Sequence, residues 1–178
     1  MAFAAQPVIT IQDAAGNTRS ADTLVATVVL SAGTGALSGT TVATASAGMA
    51  TFADLSLNLV GSGKLLTFTS TGVTSVASSA LTILVAAAAQ LELTTAPTSS
   101  TVSAAAFVAQ PMVTIQDASG NTRSADSLVI TVALMTGSGA LSGTNVATAS
   151  NGVATFTGLS LNLVGADKVL TFTCLGLS

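Results

Sequence analysis

The side chains able to do chemistry are few, and they recur at fixed places. Asp13-Ala14-Ala15-Gly16-Asn17 gathers oxygen ligands beside a glycine, and it returns as Asp117-Ala118-Ser119-Gly120-Asn121. Oxygen-rich loops of this kind hold Ca²⁺, although the full ligand spacing of an EF-type loop is missing. The same residues make a hairpin turn, with Asp capping it and Gly or Asn taking the left-handed position. Both readings stand on these residues. Arg19 with Asp22 and Arg123 with Asp126 are the recurrent charge pairs; exposed pairs of this kind contribute about 0–1 kcal/mol, so no function is assigned to them. Lys64 and Lys168 stand at strand starts, close in sequence to Asn58 and Asn162. Lysine and asparagine form an intramolecular isopeptide bond when a buried carboxylate assists, and neither repeat offers an obvious one. Gly33-Thr34-Gly35 and Gly137-Ser138-Gly139 look like pieces of a phosphate loop, but no Lys and no helix follows, so hairpin turns are expected there.

The chain has no His and one Cys, which leaves neither a nucleophilic triad nor a metal centre to assemble. The expectation is a protein that is not an enzyme, with no catalytic residue, no cofactor-binding residue, no metal ligand and no cofactor. Cys174 has Ser70 as its counterpart, reads as a small inward-facing position, and excludes an intrachain disulfide. A reactive thiol would need a cationic neighbour.

Four basic against seven acidic residues give a net charge of −3, without the basic stripe that phosphate backbones require, so nucleic acid is not an expected partner. The apolar run from Ile83 to Ala89 falls far below the ~20 residues of a membrane-spanning helix, and no membrane insertion is expected. Met1 is followed by Ala-Phe-Ala-Ala-Gln, without the basic and apolar regions of a signal peptide; a segment of a longer secreted chain is expected. The apolar residues, 49% of the chain, are mostly Ala, Val and Leu, with six Phe and no Trp or Tyr. A core of small aliphatics and a surface of Thr, Ser and Gly point to secreted, extracellular β-structure.

The elements that position these residues come in two copies. Phe3–Thr74 aligns with Phe107–Ser178 at a constant offset of 104 without a gap, identical at 50 of 72 positions. A period near 100 residues exceeds the 20–50 or so of a solenoid unit and suits a self-contained sandwich. Within a repeat, short β-rich runs are expected over 6–12, 24–31, 41–46, 49–52, 55–60, 64–71 and 75–85. Breaks fall at 15–17, 33–35, 47–48, 61–63 and 71–72, where Gly allows positive φ. Over 64–71 the alternation puts Leu66 and Phe68 on one face and Leu65, Thr67 and Thr69 on the other. The segment 90–95 reads as an opening strand for the second repeat that the first lacks, and 75–85 as a closing strand for the first that the second lacks. If Leu81, Ile83 and Val85 point inward, each is worth about 1.5–3 kcal/mol. The second repeat is then left with an open groove and an unpaired edge that invites another strand. The domains expected are 1–88 and 89–178.

Gln6–Asn17, Gly35-Ala36-Leu37-Ser38-Gly39-Thr40, Gly48-Met49-Ala50-Thr51-Phe52 with Leu55-Ser56-Leu57, and the opening run Leu91–Pro97 together resemble tandem bacterial immunoglobulin-like repeats of large surface proteins, in the style of invasin and intimin stalks. Arg19 and Arg123 depart from the pattern, which commonly has an apolar residue there. The resemblance implies two tandem immunoglobulin-like Greek-key β-sandwiches serving as a spacer or adhesive module on a cell surface. The function expected is a non-catalytic structural repeat of an extracellular stalk or fibre. Its partners would be neighbouring repeats or copies of itself, joined head to tail through strand complementation. The alternative is an adhesive module that binds glycan or host protein through loops or an exposed strand edge, a reading that usually needs aromatic anchors. A third reading places the repeats beside an enzyme domain.

Overall fold

The computed structural model of the chain describes residues 2–177, and these form strands and turns without a helix. Two compact units are present, residues 1–84 and 85–178; the division falls four residues before the expected one at 88/89, which lies inside a strand of the second unit, Ala88–Thr95.

The first unit contains β1 (Val8–Thr10), β2 (Val25–Ala32), β3 (Leu37–Ser38), β4 (Val42–Thr44), β5 (Met49–Thr51), β6 (Ser56–Leu57), β7 (Gly61–Ser70), β8 (Val76–Ala77) and β9 (Leu81–Ile83). One sheet runs β4-β2-β7, with β8 and β9 both pairing the far edge of β7, while β1 pairs β5 and β3 pairs β6. Consecutive strands cross between the two sides, as in a Greek-key sandwich. Alternation drives it: Ala26 and Val28 of β2 and Lys64, Leu66 and Phe68 of β7 turn inward. The apolar four meet Ala50, Phe52 and Leu55 from the other side in one apolar cluster. The Phe52 and Phe68 rings lie 5.3 Å apart at 58°, a tilted contact worth about 0.5–1.5 kcal/mol beyond area burial.

The second unit contains β10 (Ala88–Thr95), β11 (Met112–Asp117), β12 (Val129–Thr136), β13 (Leu141–Ser142), β14 (Val146–Thr148), β15 (Val153–Thr155), β16 (Ser160–Leu161) and β17 (Val169–Cys174). Its sheets run β10-β11-β15 and β14-β12-β17, with β13 on β16. The immunoglobulin-like architecture expected from the sequence is present in both units, and the two differ at the edges foreseen. Among the described residues the second has an opening strand without a counterpart in the first, and the first has closing strands without a counterpart in the second.

Three sequence expectations need correction. Residues 61–63 do not break the chain; they lie inside β7, where the Gly61↔Ile83 and Lys64↔Leu81 pairs enclose a register shift, and Gly61 and Gly63 supply the positive φ of a bulge. The closing strand over 75–85 is two short strands. Between them the Ser78 hydroxyl accepts the Leu66 amide at 3.1 Å, while the Ser78 amide donates to the Leu66 carbonyl at 2.8 Å. The run 55–60 keeps only β6 as strand, paired with β3, a two-residue strand too short to leave a period.

Candidate functional site

The features that set the two units apart are strand edges. In the second unit β10 covers β11 from Ala88↔Asp117 to Thr95↔Met112. A row of polar side chains reinforces that pairing. Thr94 donates to the Met112 carbonyl at 3.1 Å and sits 3.3 Å from the Thr114 hydroxyl. Gln90 donates to Gln116 at 3.2 Å, and Gln116 in turn donates to the Glu92 carboxylate. Ahead of the strand, the Ala86 amide donates to Asp117 Oδ2 at 3.1 Å, and Arg123 Nη1 donates to the Ala86 carbonyl at 2.5 Å. One residue is thus held at both its N–H and its C=O.

The first unit carries the same residues, Thr10, Gln12, Asp13 and Arg19, at the offset of 104. There β1 pairs β5 alone, and all four are exposed, whereas Thr114, Gln116 and Asp117 are buried. An open cavity of about 760 Å³ runs along this edge, lined by Val8–Ala14, Arg19, and Phe68 and Ser70 of β7.

The second unit is open on the opposite sheet. Beside β7, β9 pairs with Gly61 and Lys64, which lie in strand; the equivalent residues 165–168, with no such neighbour, are not strand. Val164 is 83% exposed against 39% for Val60, and Phe172 is only half-buried where Phe68 is buried. A cleft of about 620 Å³ opens between the loop at 96–103 and residues 163–170, floored by Phe107, Leu161 and Phe172.

The residues singled out by type fall into structural roles. Asp13 Oδ1 accepts the Ala15 and Asn17 amides at 2.9 Å, and Asp117 Oδ1 accepts those of Ser119 and Asn121 at 2.9 and 3.0 Å. This is the geometry of an Asx turn. The Asn17 side chain is the main cause holding the Asp13 carboxyl below its ordinary value. Burial pushes the Asp117 carboxyl up, but the donors of Asn121, Ala86 and Ser119 outweigh it and hold it at about 2. No group of three or more His, Cys, Asp or Glu that would hold a metal occurs among the described residues. Arg19 and Arg123 pair with Asp22 and Asp126 as the sequence suggested, with closest approaches of 2.6 and 2.8 Å.

The Gly33-Thr34-Gly35 loop, Lys64 and Asn58 converge on one clasp. The Lys64 ammonium donates to the Thr34 carbonyl, and Asn58 Oδ1 accepts the Ala36 amide at 2.7 Å. In the second unit Lys168 donates to the Ser138 carbonyl, and Asn162 accepts the Ala140 amide at 2.7 Å. A Cβ on Gly33 would stand 2.8 Å from Lys64 Cγ, so the glycine clears the lysine stem. Cys174 is buried in the apolar cluster, and burial pushes its thiol up. Its counterpart Ser70 has a buried hydroxyl with no hydrogen-bond partner among the described residues.

No family model matches the sequence, and no curated protein matches it. Solved structures similar to the chain include the D0-D1 domain of intimin, at 13% identity and a TM-score of 0.36 over 96% of this chain and 83% of that one. Another is a β-glucuronidase from Parabacteroides merdae, at 15% identity and a TM-score of 0.38 over 86% of this chain and 20% of that one.

Proposed function

We propose that the chain is a non-catalytic structural repeat that builds an extracellular surface stalk or fibre. One observation carries this reading: each unit displays an open strand site whose occupant is seen, in sequence and in register, in the other unit. The site beside β17 is the one β8 and β9 fill beside β7, and the site beside β1 is the one β10 fills beside β11. Surfaces of this kind are made to be covered by more of the same repeat, and a sparsely charged exterior rich in Thr and Ser suits a location outside the cell.

Counting occupants chooses between two ways of covering them. When two copies exchange a closing segment, one cleft is filled and another is opened, so the number of open sites does not change. A further repeat brings both an opening and a closing segment and removes open sites outright. Extension of an array is therefore favoured over exchange among equal copies. Electron microscopy of the chain and of versions lengthened by one and two 104-residue periods tests the reading. The expected result is an elongated particle that gains a constant length per repeat, while compact particles of unchanged length would reject it.

A further inference from the structure

We infer that the open edge of β1 is a docking site for the opening segment of a further repeat, in which Asp13 and Arg19 grip the backbone N–H and C=O of one residue of the incoming strand. The inference rests on the repeat-array reading and adds the residues that recognise the partner. Its basis is the second unit, where the same two residue types are seen at work: Asp117 takes the N–H of Ala86 and Arg123 takes its C=O.

The first unit has the same machinery in place before any strand arrives. The Asp13 turn is closed by the same Asn17 contacts that Asn121 makes to Asp117. Arg19 is oriented by Asp22 as Arg123 is by Asp126. Asp13 Oδ2 accepts the Asn17 side chain at 3.0 Å, and a carboxylate oxygen has a second lone pair for an incoming amide. A pre-oriented acceptor and donor cost little ordering at the moment of binding. Farther along, Gln12 and Thr10 stand where Gln116 and Thr114 meet Gln90, Glu92 and Thr94. Because the clamp holds only backbone, it sets where the strand starts, and the Gln and Thr positions read its side chains. The ligand is thus an extended, antiparallel segment of the pattern of Ala86–Thr95: small residues first, then Gln, an inward Leu91, an outward Glu92 and a Thr. The cavity along β1 is open to receive the inward leucine.

The test titrates the intact chain with a synthetic peptide of residues 86–95, followed by calorimetry and amide hydrogen exchange. One peptide is expected to bind per chain, with new protection over Val8–Asp13. Arg19 is exposed, so Arg19→Ala leaves the fold intact and is expected to weaken binding about tenfold, the effect of one lost charge-assisted hydrogen bond. A peptide with Glu92→Pro should not bind, because Glu92 pairs with Thr114 in the second unit, the counterpart of Thr10, and proline removes its ladder donor. Absence of binding, protection over Val169–Cys174 instead, or equal affinity for wild type and Arg19→Ala would each overturn the inference. Peptide binding to a chain that forms compact particles would instead count against the array reading and leave the docking site standing.

Discussion

The two units are the same sequence at 50 of 72 aligned positions, yet identical residues live in different environments. Asp117 is 2% exposed while Asp13 is open to solvent, and Phe68 is buried while Phe172 is not. The difference follows the neighbouring strand rather than the residue. Where β10 lies on β11 the polar row is buried and bonded, and where β9 lies on β7 the apolar row is sealed. The chain therefore contains its own control for what each strand contributes.

That comparison is best attacked first through the aromatic pair. Phe68→Ala should cost about 3–5 kcal/mol, the usual loss for a buried ring, and Phe172→Ala about half of that because its site is already wet on one side. Resolved calorimetric transitions of the two units measure both, and equal losses would mean the closing strands seal nothing.

A second pair should show no contrast. Gly39 and Gly143 both have positive φ, 105° and 103°, and a Cβ would stand 2.3 and 2.4 Å from the carbonyl oxygens of Asp54 and Gly158. Gly39→Ala and Gly143→Ala should each cost about 2–4 kcal/mol. A large inequality in chemical denaturation would show that the strand edges perturb this loop too.

Acid should separate the units. The Asp117 carboxyl titrates at about 2 in the fold, below about 3.9 when unfolded, so its stabilisation is full above about pH 5 and is lost as pH falls toward 2. The loss is on the order of 1–2 kcal/mol. Asp13, also shifted down but exposed, should matter less. The second unit's melting temperature should fall more steeply with acid than the first unit's, and Asp117→Asn should remove the excess slope.

The smallest effect concerns Ser70, whose buried hydroxyl lacks a partner. Ser70→Cys, which copies the second unit, should raise the stability of the first by about 1 kcal/mol by removing an unsatisfied polar group. A drop in its melting temperature would show that the hydroxyl is satisfied in solution.

Much of the fold was legible because alternation has a period of two and survives any context: Leu66 and Phe68 against Thr67 and Thr69 needed only their order. The repeat was legible from identity alone, and with it the missing opening and closing strands. The bulge at 61–63 was misread as a break because glycine with positive φ serves both, and only a pairing partner distinguishes them. The clasp joining Thr34, Asn58 and Lys64 escaped notice because Thr34 lies 24 and 30 residues from Asn58 and Lys64 and each has an ordinary reading by itself.

What the amino-acid order determined alone was which faces are apolar, where the chain turns, and that one design occurs twice. What only the tertiary structure decided was the fate of Asp13, Arg19, Gln12 and Thr10 against their counterparts. A side chain carries its own propensity, but its burial, its hydrogen bonds and its proton affinity depend on what lies across the sheet, and that neighbour is set by pairing between segments distant in the chain.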